Sequence, residues 1–193
     1  PNGARGTDSD KAACAMRAGF TTVQSVEEAI DKDQREAVAR DTIPGPRVLT
    51  AISAITNQKL TVDDIRDMVR KLKGRGADLI KIFVSQSIRS GGAQTLNKEQ
   101  IEAACGEAKA QGMRAMVHAY GPDTIKQVIQ AGCTAVEHGN VVDDEGLKMM
   151  AGRGTYFDPN IGLVAQNYLA NRLKYQGIGN YDDAGFAAME KTI

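Results

Sequence analysis

Glycines separate helical segments from apolar strands along this 193-residue chain, and the pattern limits the folds that it can adopt. The pattern recurs at Ala18-Gly19-Phe20, Arg75-Gly76-Ala77, Gln111-Gly112-Met113, Ala131-Gly132-Cys133 and Arg153-Gly154-Thr155. A glycine just beyond a helix supplies the left-handed backbone conformation that closes it. Five such joints predict repeated helix-to-strand units, which are typical of an α/β protein with parallel strands.

Two architectures fit six strands joined in this way, a doubly wound open sheet and a (β/α)8 TIM barrel. The strands are predicted at residues 20–26, 47–52, 77–85, 113–120, 133–139 and 155–160. A nucleotide-binding open sheet would carry a GxGxxG or GxxxxGK[ST] loop, and the sequence has neither. Six strands cannot close an eight-stranded barrel. We therefore predict that residues 1–193 form a single, partial barrel domain that lacks one strand at each end.

The composition narrows the classes of partner. Hydrophobic residues make up 42% and charged residues 25%, which is ordinary for a globular domain and argues against disorder. Lys and Arg equal Asp and Glu at 24 each, and no basic run stands out. We therefore expect no nucleic-acid partner and no membrane partner.

The chain ends and the cysteines bear on where the protein works. The sequence begins at Pro1 without an initiator Met and stops at Ile193 within a predicted helix, which suggests a piece of a longer polypeptide. A missing signal peptide is then uninformative, so a cytoplasmic location is favoured and a secreted or periplasmic one is the alternative. Cys14, Cys105 and Cys133 lack CxxC spacing and are predicted to be core thiols.

One lysine lies inside an apolar strand. Lys81 stands between Ile80 and Ile82, where an isolated ammonium would be costly to bury. If the strand is shifted by one residue, Lys81 points to solvent instead. If it is buried, desolvation favours the neutral amine, which can form a Schiff base or take up CO₂ to give a carbamate.

The only two histidines, His118 and His138, stand near the carboxyl ends of the next two strands. A single histidine in an apolar strand is more often a hydrogen-bonded core residue than a ligand. Two at matching positions of consecutive strands favour a metal site, because imidazole is a frequent zinc ligand. We expect Lys81, His118 and His138 to meet at one place and to bind one or two divalent ions such as Zn²⁺.

Five segments, taken in order, resemble successive motifs of the amidohydrolase superfamily, in its prolidase-like and imidazolonepropionase-like branch. They are Gly19-Phe-Thr-Thr-Val23, Pro44-Gly-Pro-Arg-Val-Leu49, Ala77-Asp-Leu-Ile-Lys-Ile82, Val117-His-Ala-Tyr-Gly121 and Glu137-His-Gly139. The resemblance covers nearly the whole chain. It implies a metal-bearing barrel in which Lys81 is the carboxylated lysine that bridges two metals, and His118 and His138 are metal ligands.

The resemblance also identifies what this sequence lacks. The family's HxH pair on the first strand, the aspartate on the eighth strand and a small β-sandwich domain are all missing, so strands two to seven would be present. Many relatives carry a Gly-Gly-His loop after the third strand, where this chain has Ile55-Thr-Asn-Gln58. Assignment of a substrate by analogy with one relative is therefore weakened.

Several neighbours of the three central residues are secondary candidates. Tyr120 follows His118 by two residues on the same strand face and is a candidate for substrate contact. Arg89, in the loop after Lys81, could bind a substrate carboxylate, although a solvated loop charge is the more common situation. Glu137 should point away from His138 and be a structural partner. Asp158 and Asn160 could line the mouth of the site.

The predicted function is a metal-dependent hydrolase that cleaves an amide, dipeptide or cyclic amide C–N bond with a metal-activated water. The partner would be a small-molecule amide or peptide, and the intact enzyme is expected to be a homo-oligomer. Two alternatives use the same fold, a Schiff-base lyase or aldolase acting through Lys81, and a non-catalytic barrel fragment that serves as a binding module. The third is a doubly wound binding domain.

Overall fold

The computed structural model describes residues 8–26, 30–160 and 162–191. The strands are β1 (Thr22–Ser25), β2 (Arg47–Thr50), β3 (Ala54–Ile55), β4 (Leu79–Phe83), β5 (Arg114–Ala119), β6 (Ala135–His138) and β7 (Tyr156–Asp158). The helices are α1 (Asp8–Arg17), α2 (Ile30–Ala39), α3 (Val62–Gly74), α4 (Lys98–Ala110), α5 (Pro122–Gln130), α6 (Asp144–Arg153), α7 (Arg172–Tyr175) and α8 (Asp183–Glu190). A 3₁₀ turn covers Ile88–Ser90 and a π-helix covers Leu163–Leu169. The highly charged segment 27–41 is predicted from the sequence to be helical; α2 confirms this over Ile30–Ala39, and residues 27–29 lie outside the described ranges.

All paired strands of the described residues are parallel, and they are arranged in chain order. One sheet contains β1 and β2, and the other runs from β3 to β7 without reversal. This order is that of a barrel wall, so the doubly wound alternative is wrong. The barrel is not closed, since β7 ends the sheet and exposes 72% of Tyr156.

The predicted strand 47–52 is shorter in the structure. It ends at Thr50, and Ile52 has a φ of 64°, which takes the chain out of the extended conformation before β3 begins. The amide of Asp78 donates to the carbonyl of Thr50 (2.8 Å), which joins the β2 end to the residue just before β4. The two sheets are therefore consecutive parts of one interrupted wall.

Local sequence signals explain the helix ends. Thr61 and Asp64 form a reciprocal capping box at the start of α3, and Asn97 and Gln100 form another at the start of α4. Pro122 opens α5, where a missing amide hydrogen costs little. The five predicted closing glycines all have positive φ, between 68° and 93°. The predicted helix-to-strand joints are confirmed.

The sheet has an outer and an inner face. The outer residues Ile80, Ile82, Val117 and Val136 are fully buried and pack with the apolar faces of α3, α4 and α5 in the main core. Strand register places a different set on the inner face: Leu79, Lys81, Phe83, Met116, His118, Glu137 and Asp158. The inner face carries the ionisable residues, and the candidate site lies there.

Cys105 and Cys133 lie in the main core as predicted, but the prediction that all three cysteines are core thiols is wrong. Cys105 in α4 and Cys133 just before β6 form a disulfide, with their Cα atoms 5.0 Å apart, and Cys14 is exposed. The two bonded residues are 28 positions apart and are brought together because α4 packs beside the sheet.

None of the helices in the described ranges is long and apolar enough to cross a membrane.

Candidate functional site

Lys81 is buried on the inner face of β4. Its side chain is only 2% exposed and lies among β4, β5 and β6, with Nζ 4.9 Å from the centroid of the Phe83 ring. The alternative in which Lys81 points to solvent is therefore wrong. The strand is buried on both faces, as parallel barrel strands are, and Lys81 is one of its inward side chains.

His118 lies one strand away and two residues closer to the carboxyl edge. Phe83 is its register neighbour in β4, and the two ring centroids are 4.8 Å apart. The Nε2 atom of His118 is buried and has no hydrogen-bond partner in the described part of the chain. A buried polar atom without a partner is costly, so this nitrogen is available to a ligand.

His138 reaches the same place by an unusual backbone conformation. Its register partner is Ala119, whose side chain faces the outer core, yet the His138 ring lies 4.6 Å from that of His118. The cause is a φ of 71°, which ends β6 and turns the side chain inward. Positive φ is uncommon for residues other than glycine and clusters at functional sites.

Tyr120 completes an aromatic group around the two imidazoles. Its ring stacks on His138 at 5.1 Å and meets His118 edge-on at 4.9 Å. Both histidines and Tyr120 line a cavity of about 340 Å³ at the carboxyl edge of β4, β5 and β6. The structure thus brings together Lys81, His118, His138 and Tyr120, the last as predicted on the face of His118.

Burial determines the protonation of the site. It lowers the pKa of His118 to about 3, with smaller contributions in the same direction from the charges of His138 and Lys81. It also lowers the pKa of His138 to about 4, helped by Lys81 and opposed by Asp158. Burial raises the pKa of Tyr120 to about 12. At neutral pH the site therefore presents two neutral imidazoles and a protonated phenol.

Glu137 lies on the same inner face as His138, contrary to the prediction that the two side chains point opposite ways, although its predicted role as a structural partner agrees with the contact that it makes. Its carboxylate forms a salt bridge with the Lys81 ammonium, and only 12% of its side chain is exposed. Alternation along β6 does place Glu137 inward, in register with His118, and it is the positive φ of His138 that brings both neighbours to one side. The bridge compensates a buried charge that would otherwise be strongly unfavourable.

Arg89 also lines the cavity, from the 3₁₀ turn after β4. It is half-buried, so it is not the solvated loop charge considered above. Its Nε donates to Ser87 Oγ at 3.1 Å, and its Cζ lies 4.0 Å from the centroid of the Tyr181 ring.

Asp158 lies on the inner face in register with Glu137, and its charge acts on His138. Among the described residues, neither Asp158 nor Asn160 lines the histidine cavity. Asp158 lines a separate inner cavity of about 220 Å³ with Met116 and Tyr156.

Segment 162–191 adds residues to the site that the sequence does not predict to lie there. Leu163 and Tyr168 line the histidine cavity, and Val164 packs with Tyr120 in a second apolar core. One signal was present, because three of the five tyrosines fall between residues 168 and 181.

Comparison with known proteins gives a family match over most of the chain. The model of the amidohydrolase family matches residues 10–185, nearly the whole chain. The chain belongs to the amidohydrolase family.

Proteins similar to this chain include ochratoxinase of Aspergillus niger, which is 28% identical over 100 residues, or 50% of this chain and 21% of ochratoxinase. The crystal structure of a Xaa-Pro dipeptidase with bound methionine in its active site is 26% identical, with a TM-score of 0.78. The match covers 95% of this chain and 52% of the dipeptidase. The ochratoxinase crystal structure, 19% identical, has a TM-score of 0.81 over 95% of this chain and 49% of its own, and shows the shared fold. The chain spans about half the length of these two solved relatives.

The chemistry of the inner face fits part of an amidohydrolase metal centre. Two neutral imidazoles and a buried nitrogen without a partner are suitable donors for a divalent ion. In residues 8–26, 30–160 and 162–191, however, no group of three or more His, Cys, Asp and Glu side chains is arranged to hold a metal. The described residues can therefore supply two histidines and Lys81, which is part of a ligand set.

Proposed function

We propose that this chain carries part of the active site of a metal-dependent amidohydrolase that cleaves an amide, dipeptide or cyclic amide C–N bond. The observation that supports this most is the meeting of His118 and His138 at 4.6 Å, beside buried Lys81, in a chain of the amidohydrolase family. Burial holds both rings neutral, and the backbone of His138 has a strained positive φ. Both features cost free energy of folding, which favours a functional role over packing alone.

In this proposal His118 and His138 hold one or two divalent ions, with Zn²⁺ as the first candidate. When bound, such ions polarise a carbonyl and lower the pKa of water, so that hydroxide is available at neutral pH. The low pKa of each histidine supports this role, because a metal then competes with few protons for the ring nitrogens.

Lys81 would be a further metal ligand after it reacts with CO₂. The ammonium first releases one proton to solvent, and the neutral nitrogen then bonds to the carbon of CO₂ while one C=O π pair moves onto oxygen. A second proton passes from the nitrogen to solvent, which leaves a carbamate with a carboxylate-like pair of oxygens. The reaction needs a neutral amine, so the salt bridge to Glu137 must open first. Glu137 would thus hold the uncarboxylated Lys81 at its place on the inner face.

Tyr120 and Arg89 are proposed to bind the substrate. The pKa of Tyr120, raised to about 12, keeps its hydroxyl protonated at neutral pH, so it can donate a hydrogen bond to a carbonyl oxygen. Arg89 would bind a carboxylate of the substrate through its guanidinium.

The names of the relatives support a small-molecule amide or peptide as substrate. One solved relative is a Xaa-Pro dipeptidase and another is an ochratoxinase. The apolar part of the cavity wall, formed by Phe83, Ile88 and Leu163, suits an uncharged side chain next to the scissile bond.

The direct test is hydrolysis of Xaa-Pro dipeptides and N-acetyl amino acids by the intact enzyme that contains these residues, with and without a chelator. We expect activity that the chelator removes and added Zn²⁺ restores, and that Lys81→Met abolishes. Lys98→Met is the matched control, since Lys98 is an exposed residue of α4. Hydrolysis that is equal in chelator and unaffected by Lys81→Met would refute the proposal.

A further inference from the structure

Three tyrosines form a compact group beside the histidine cavity. The centroids of Tyr168, Tyr175 and Tyr181 lie 5.0 to 5.3 Å from one another, and we call these three residues the tyrosine cluster. Tyr168 lines the cavity, and Tyr181 packs on buried Phe186, with ring centroids 6.2 Å apart. The cluster therefore connects the cavity wall to the second apolar core.

Tyr181 is the member that contacts a charged residue of the site. The guanidinium of Arg89 lies over its ring at 4.0 Å, a close cation–π contact. A planar guanidinium stacks on an aromatic face and keeps its N–H groups at the edge available to other partners. The hydrogen bond from Arg89 Nε to Ser87 Oγ restricts the side chain further.

The 3₁₀ turn that carries Arg89 contacts the loop before α8 that carries Tyr181. Asn180, next to Tyr181, donates from Nδ2 to Ser90 Oγ at 3.1 Å, next to Arg89. Buried Gly185 places α8 against the 3₁₀ turn, since an added Cβ there would be in van der Waals contact with the carbonyl oxygen of Arg89, at 3.5 Å. Tyr181 therefore has a defined position under the guanidinium.

Arg89 is an unusual arginine for a half-buried position. Within the described ranges it forms no salt bridge, although it lines a cavity together with His118 and His138. A half-buried cation that faces a cavity without a carboxylate partner is suited to an anionic group of a ligand.

We propose that Tyr181 is a positioning residue that holds the Arg89 guanidinium at the cavity, where it binds the carboxylate of an N-acyl amino acid or dipeptide. The assignment of that carboxylate to a scissile amide rests on the proposed function. The binding of the carboxylate itself does not require hydrolysis, so the two can fail separately.

The test is calorimetric binding of N-acetyl-L-leucine and of N-acetyl-L-leucinamide to the full chain, which differ only in the carboxylate. We expect the acid to bind at least fivefold more tightly than the amide. Tyr181→Leu should remove most of that preference and leave binding of the amide unchanged. Tyr181→Phe, which keeps the aromatic face, should behave as the unsubstituted chain within about twofold.

A second variant keeps the proposal testable if Tyr181→Leu fails to fold. Arg89→Lys retains the charge and leaves the tyrosine cluster intact, but an ammonium does not present a planar fork, so the preference for the acid should fall here too. The proposal is overturned if the unsubstituted chain does not prefer the acid, or if Tyr181→Leu or Arg89→Lys keeps the full preference. Absence of hydrolysis with the preference intact would count against the proposed function alone.

Discussion

The carboxylate of Glu137 in β6 contacts the ammonium of Lys81 in β4, across the strand that separates them. Lys81 is in register with Met116 and Ala135, so its long side chain must lean toward the carboxyl edge to reach Glu137. The contact therefore places the Lys81 nitrogen near the two histidine rings, and both imidazoles are affected by its charge.

Removal of this carboxylate should be costly. Lys81 is 2% exposed and Glu137 12%, so Glu137→Gln would leave an uncompensated buried ammonium. We expect the free energy of unfolding to fall by about 3 kcal/mol in the metal-free chain, measured by urea denaturation. The double variant Lys81→Met/Glu137→Gln should recover part of this loss.

Glu107→Gln is the matched control for that experiment. Glu107 is as buried as Glu137, at 10% exposed, but its partner Arg70 is 52% exposed and can be solvated once the carboxylate is gone. The control should lose about 1 kcal/mol or less. Equal losses in the two variants would mean that the Lys81–Glu137 bridge is not a buried pair.

Stability should decrease as the pH falls below neutrality. The pKa of His118 is lowered to about 3 and that of His138 to about 4, from an ordinary value of 6.5, so in this interval the unfolded chain binds protons that the folded chain does not. As the pH falls through this interval, the free energy of unfolding should drop by up to about 1.4 kcal/mol per pH unit for each histidine. The stabilisation from each neutral histidine is fully present at pH values above its pKa in the unfolded chain.

This dependence can be isolated by comparing the chelator-treated chain with its His118→Asn/His138→Asn variant in urea at pH 7 and pH 5. The carboxylates titrate alike in both proteins. The difference between the two proteins in the change of unfolding free energy with pH therefore comes from the two imidazoles. We expect a smaller change in the variant. Identical pH dependence would show that the rings are not held neutral.

The sequence predicts those features of the site that depend on neighbouring residues, and it does not predict those that depend on residues far apart in the chain. The strand positions and the inward face of Lys81 and His118 follow from local patterns, namely closing glycines and apolar alternation, and the structure agrees with them. The inward turn of His138 follows from a φ of 71°, which alternation along β6 does not indicate. The face of Glu137 was therefore predicted wrongly relative to the site.

Other features depend on packing between distant segments. Cys105 and Cys133 looked like ordinary small apolar positions, and only the approach of α4 to the start of β6 makes them a pair. The contact of Arg89 with Tyr181 joins residues 92 positions apart through the docking of α8 on the 3₁₀ turn. No short-range pattern predicts such contacts.

The disulfide should be a major contribution to stability. It closes a loop of 28 residues, and the chain-entropy model assigns such a loop roughly 3 to 4 kcal/mol. We expect reductant to lower the midpoint of urea denaturation for the unsubstituted chain, and Cys105→Ala/Cys133→Ala to show the same lowered midpoint with or without reductant. Cys14→Ser, at an exposed position, is the control and should keep the full response. A midpoint insensitive to reductant would contradict this.

Elemental analysis of the intact enzyme shows whether His118 and His138, with Lys81, hold divalent metal. We expect one or two zinc-like ions per chain, together with an intact native mass that includes the metal and one CO₂. His118→Asn and His138→Asn should each lose metal, and Lys98→Met should retain it. A metal-free native protein, or variants with unchanged metal content, would contradict the assignment of these residues as ligands.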